Sequence, residues 1–199
     1  MHEMDKKRNR LRQEAIIKSL ALRNIEGFFA ETKEEALKIA LDIIPKGSTV
    51  SNGGAFSARE IGLIDAIKEG DYNYLDGDGA KDPELKKQLE TDTFGKCDYF
   101  ISGVNGMSEN GVIVNIDGNA NRVAAIAYGP KHVLFIVGMN KIVHSEEDAY
   151  NRAKYIAAPI NAQRFGLSTP CGINGKCGEC LMEQRSEERR VGKECLKRC

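Results

Sequence analysis

HVLFIVG (132–138) is apolar from its second residue to its last. A strand with apolar side chains on both faces has to be covered on both, and a parallel sheet sandwiched between helices provides that cover. CDYFISGV (97–104) reads the same way, and STVSNGG and YNYLD (72–76) supply two shorter strands. Helical patterns fall between them. Thr32 stands three residues before Glu35 at the head of an apolar-periodic stretch that ends at Pro45-Lys46-Gly47, a capping-box start and a sharp stop. SAREIGLIDAIKEG (57–70) repeats the signature with Ser57 and Glu60, a charged helix runs from Pro83 to about Leu89, and 145–166 is helical with Pro159 set to interrupt it. GFFAE (27–31) and GVIVNID (111–117) read as further strands, the second leading into a polar turn at DGNANR. Strands alternating with helices predict an α/β fold, an open layered and mostly parallel sheet with flanking helices.

The 199 residues suffice for one core without disulfide or metal staples. Lys+Arg 29 against Asp+Glu 29 leaves no net field to draw the chain to nucleic acid or an anionic membrane, so a small metabolite or a protein is the expected partner. No run approaches the roughly 20 apolar residues of a membrane span, and the charged N-terminus lacks a signal-peptide core, so the expected location is cytoplasmic. Cysteines in that reducing compartment are thiolate ligands or redox thiols before they are disulfides. Residues 1–22 read as an N-terminal amphipathic helix, 23–168 as the α/β domain, 169–184 as a cysteine-rich segment and 185–199 as a non-native or disordered tail. A homodimer is the ordinary prior for oligomeric state.

Three stretches carry chemistry. In SNGGAFSAREIG (51–62), Gly53 and Gly54 let the backbone approach a ligand, Ser57 adds a hydroxyl, and the following helix N-terminus favours a phosphate or carboxylate. The same glycines also serve a plain strand-to-helix turn. Glu60 is either a capping carboxylate or an acid/base facing the crevice. Along 101–143, Asn105, Glu109, Asn115, Asp117, Asn119, Asn121, Arg122, Asn140 and Lys141 fall at or beside strand ends, where α/β domains gather ligands. Arg122 suits an anion through its guanidinium fork, and equally suits a structural pair with Asp117. Lys141 is a second cation or a solvated one. Cys171, Cys177 and Cys180, on a glycine-rich loop, fit three ligands of a zinc or iron–sulfur site, with a dithiol pair as competitor. Cys97 reads as a small core residue.

GGAFSAREIG (53–62), ISGVNGMSENGVIVNIDGNANRVAAIAYGP (101–130), VGMNKIV (137–143), AAPINAQR (157–164) and TPCGINGKCGEC (169–180) together resemble the LUD domain family of lactate utilization proteins, in particular a stand-alone subfamily related to LutC with a cysteine-rich end. The resemblance implies a fold similar to the sugar-phosphate isomerase and CoA-transferase superfamily and a role in bacterial lactate or organic-acid utilization; the residues themselves are read as holding a small anionic ligand through Gly53, Gly54, Ser57, Asn105, Asp117, Asn121, Arg122 and Lys141, with Glu60 as acid or base. The alternative that the resemblance implies is a non-catalytic subunit or regulator docked on an iron–sulfur protein partner. Two departures stand out: Ala55 replaces the Ser common after the glycine pair, and the fourth cysteine expected soon after Cys180 is missing, Cys195 arriving too late. Metal is therefore expected in intact relatives and weak or absent here.

Overall fold

The computed structural model describes residues 3–118 and 120–178. Its centre is a four-stranded, wholly parallel sheet of β1 (Thr49–Gly53), β2 (Asn73–Leu75), β3 (Tyr99–Ser102) and β6 (His132–Phe135), in the order β2-β1-β3-β6. The intervening elements are α3 (Phe56–Glu60), α4 (Leu63–Glu69), α5 (Pro83–Lys96), β4 (Gly106–Ser108), β5 (Ile113–Val114) and α6 (Asn121–Ala127). The alternation read from the sequence is therefore the architecture. Side chains divide at the sheet with period two. Val50, Ile101 and Leu134 face one layer with Ala40 from α2 (Lys33–Ile43), Ile44 just after it, and Leu63, Ile64 and Ile67 from α4. Phe100 and Val133 face the other with Cys97, Phe94 and Ala125 at α5 and α6. Both faces are covered, as the uninterrupted apolar runs demand.

A second, three-stranded sheet has the order β5-β4-β7, with β7 at Ile142–Val143. It packs on α1 (Glu3–Ala21) through Ile16, Leu20, Val104 and Met107. Polar ties hold the same helix: Arg12 Nε lies 2.6 Å from Glu109, Arg10 Nη2 donates to Glu31 at 2.7 Å, and Arg23 Nε donates to the Asn110 carbonyl at 2.9 Å. Leu11 of the same helix is exposed.

Several expectations are corrected. GFFAE forms no strand and pairs with neither sheet. Thr32 caps α2 by accepting from the Glu35 amide at 3.1 Å, but the Glu35 carboxylate bonds the Glu31 amide and not that of Thr32. The 57–70 helix is two helices broken at Gly62, whose φ of 78° stands in the left-handed region. Its start is Ala55, so Ser57 and Glu60 form no capping box, and the five residues of α3 are too few for a useful N-terminal dipole. The helix from Pro83 runs on to Lys96. Only two residues of GVIVNID pair as β5, because side chains take over beyond them: the Asn105 amide donates to Asn115 Oδ1 at 3.0 Å and the Ile116 amide to Asn105 Oδ1 at 2.7 Å. As expected, Pro159 interrupts its helix, a π turn at Ala153–Ala157 separating α7 (Glu146–Arg152) from α8 (Ala158–Arg164).

Candidate functional site

The chain leaves β1 toward β2 on one side and later returns to lay β3 on the other, so the connections diverge between β1 and β3. Ligands of open α/β sheets bind beyond the carboxyl ends of strands at such a switch point. Gly53 ends β1 there and Gly54 follows it, Gly103–Asn105 follow β3, and Ile136–Lys141 follow β6.

Gly54, with φ 59°, turns the chain over Arg122. A Cβ at Gly54 would stand 2.9 Å from Arg122 Nη1, and one at Gly53 2.7 Å from the Phe100 ring. The close approach that glycine permits is thus to a side chain of the protein itself. The Arg122 side chain is 8% exposed and Asp117 10%, with Nη2 and Oδ1 2.6 Å apart. Nε also donates to Asp117 at 2.8 Å, and Nη2 to Asn105 Oδ1 at 3.0 Å and to the Ile116 carbonyl at 3.2 Å. Asp117 in turn accepts from the Val123 amide at 2.7 Å, satisfying a first-turn N–H of α6 that its cap residue Ala120 leaves unserved. Of the two readings of Arg122, the structural pair is the one whose contacts are formed.

Lys141 lies on the other side of the glycine turn. Its Nζ donates to Ser57 Oγ at 2.9 Å, and a Cβ on Gly103 would come within 3.0 Å of the Gly54 carbonyl and 3.7 Å of that Nζ. Among the described residues no carboxylate lies within salt-bridge distance of Lys141. Burial lowers its pKa from the ordinary lysine value and the charge of Arg152 adds to that, while Glu60 opposes it. Arg152, which the sequence reading passed over, is clamped between backbone carbonyls, bonding those of Asn105 and, at 3.2 Å, Asn140. Its signal was its place three residues after Ala149 and beside Ala153, both fully buried. Ser57, Glu60 and Lys141 share a cavity of about 480 Å³ that α1, the 29–36 segment, α3 and the 136–141 turn enclose.

Asn140 lines that cavity too, and the other candidates lie apart from it. Asn105 is the buried hub joining Arg122, Ile116 and Arg152, and Asn121 is exposed, its amide reaching Glu90 at 3.2 Å. Asn119 and Cys180 lie outside the described residues. Cys171 belongs to α9 (Pro170–Asn174), where its sulfur meets Thr169 Oγ1 at 3.3 Å, and Cys177 follows that helix. Among the described residues no three His, Cys, Asp or Glu side chains converge closely enough to hold a metal, so the metal-binding expectation gains no support and no chemistry is routed through it. No helix among them is long and apolar enough to cross a membrane.

Fold and cavity together define an α/β protein with a parallel sheet and, against the segments that follow β1 and β6, a cavity lined by cations and carboxylates. The chain belongs to the LUD domain family, whose sequence profile matches residues 13–195, and that family is associated with lactate utilization. Comparison with curated proteins and with solved structures gives no match.

Proposed function

We propose that this LUD-domain protein binds a small organic anion of lactate and organic-acid metabolism beyond the carboxyl ends of β1, β3 and β6. The observation that supports it is Lys141: a half-buried ammonium in a cavity, supported by a hydroxyl and lacking a carboxylate partner among the described residues. An incoming carboxylate or phosphate supplies the missing charge, with Ser57 as a second hydrogen-bonding group. Arg122 contributes its buried charge and fixes the shape of the Gly53–Gly54 turn. Glu60, exposed in the same cavity, is placed to exchange a proton with a bound hydroxy or oxo acid. Isothermal titration with lactate, pyruvate and inorganic phosphate tests this reading. Binding of at least one that Lys141→Met weakens tenfold or more is expected, and binding of none by the folded full chain rejects it.

A second reading, docking on an iron–sulfur protein through the cysteine end, has one observation in its favour. Tyr155, Ile156, Ile160, Phe165 and Ile173 are exposed on the π turn, α8 and the segment leading to Cys177. Co-purification with an iron–sulfur protein that Ile160→Asp abolishes, while anion binding persists, would favour it.

A further inference from the structure

The cavity that contains Lys141 is large for a three-carbon acid. Lactate has the bulk of about four water molecules of ~30 Å³ each, whereas cavities of a few hundred Å³ hold ligands of cofactor or drug size. At about 480 Å³ the cavity falls in the latter class.

Its walls say what the extra space is for. Phe56 is 57% exposed although the residues on either side of it, Ala55 and Ser57, are 2% and 6% exposed. The turn into α3 thus buries its small residues and presents its one aromatic ring to the cavity. Phe29, Ile61, Ile136, Val137 and Met139 line the same space and are only partly buried. Val137 and Met139 border the α1 core and Ile61 and Ile136 the main core, so this apolar wall continues both cores into the cavity. GFFAE, the segment that failed to become a strand, supplies Phe29 to it. The charged lining residues are Lys6, Arg10, Glu31, Lys33, Glu60 and Lys141, of which Lys141 is half-buried and hydrogen-bonded to Ser57.

Resting on the anion-binding reading above, we propose that the ligand is an organic acid with an apolar body several carbons longer than lactate, its carboxylate at Lys141 and Ser57 and its body against Phe56, Phe29 and Val137. Charge complementarity fixes the head, since of the lining lysines Lys6 and Lys33 are exposed, whereas Lys141 is half-buried and held by the Ser57 hydroxyl. Apolar surface left partly exposed on the wall drives the body. An unbranched acyl chain and an aryl ring both satisfy this chemistry.

The test is a chain-length series on the full chain by isothermal titration: lactate, α-hydroxybutyrate, α-hydroxycaproate and phenyllactate. Affinity is expected to rise about fourfold per added methylene, the equivalent of ~0.8 kcal/mol per buried CH2. Phe56→Ala should flatten that rise, and Lys141→Met should weaken every member tenfold or more. Phe56 is exposed, so its replacement leaves the fold intact, which thermal unfolding verifies. Phenyllactate above α-hydroxycaproate assigns the body to a ring, the reverse order assigns it to an acyl chain, and either supports the subsite. A flat series in which lactate binding still depends on Lys141 overturns the apolar subsite and leaves the anion site standing. Absence of binding at every length overturns both. A rise with length that Lys141→Met leaves untouched overturns the placement of the head.

Discussion

Arg122 and Lys141 are cations on two sides of one glycine turn, and they are held in opposite ways. The Arg122 guanidinium is sealed against Asp117 and Asn105 inside the fold, while the Lys141 ammonium leans on a single hydroxyl and opens on a cavity. A buried charge with all its partners is a strut, and removing one partner leaves the other stranded in low dielectric. A half-buried charge that lacks its counter-ion lowers stability on its own account and regains that cost when an anion arrives. The difference teaches which cation the protein has kept available.

The largest effect expected from this contrast is on Asp117→Ala, which strands Arg122 and should cost about 3–5 kcal/mol of unfolding free energy in urea denaturation. A cost below ~1 kcal/mol would erase the distinction between the two cations. Lys141→Met should do the reverse: stability unchanged or slightly improved, with anion affinity lower by ten- to a hundredfold, or ~1.4–2.8 kcal/mol. Next comes Gly54→Ala, which places a Cβ in the left-handed region and against Arg122 Nη1; about 1–2 kcal/mol of lost stability is expected from the backbone alone. Thermal unfolding at matched pH measures it, and a neutral outcome would mean the turn is not braced by Arg122. The smallest effect is in pH dependence. Burial beside Arg152 lowers the Lys141 pKa, so the folded state holds its proton less firmly than the unfolded chain does. The contribution of Lys141 to stability therefore rises with pH up to the ordinary lysine value near ~10.4. Anion affinity runs the other way: full below the lowered pKa, it is lost as pH rises through it. In Lys141→Arg any binding retained should persist to higher pH, and identical profiles for the two proteins would place the titrating group elsewhere.

The main sheet was legible because HVLFIVG and CDYFISGV carry apolar side chains on both faces, a pattern with few uses outside a covered parallel sheet. Thr32 and Pro83 likewise announced their helices through local chemistry that tertiary context left alone. Failures came where distant groups intervened. Phe28 and Phe29 look like strand residues, but a strand needs a neighbour to pair with, and no local pattern reports whether the fold lays the segment beside a sheet; 27–31 pairs with neither. GVIVNID alternates correctly, yet the carboxamides of Asn105 and Asn115 take the bonds a ladder would have used. Gly62 permits the break that splits 57–70, while its neighbours keep helical spacing on both sides. In the site, Gly53, Gly54, Ser57 and Lys141 were each visible as residue types, but the 2.9 Å contact between Ser57 and Lys141 spans residues far apart in the chain, and only the fold makes it. Cys97 was read as a core residue; it is buried, and burial pushes its thiol up to about 11.

The helix that walls the cavity is fastened to the domain by two kinds of bond with different sensitivities. Ile16 and Leu20 anchor it through the core, whereas Arg10 with Glu31 and Arg12 with Glu109 tie it at or near the surface. Electrolyte weakens the second kind, since charges in contact with solvent are screened over about 8 Å at physiological ionic strength, and leaves the first untouched. Residues Lys6, Asn9 and Arg10 of this helix belong to the cavity lining, so the ionic medium acts on the attachment of this wall as well as on the Lys141 charge. An acid that binds more weakly in added salt is therefore responding to two things, and an uncharged ligand of the same shape would isolate the wall's share.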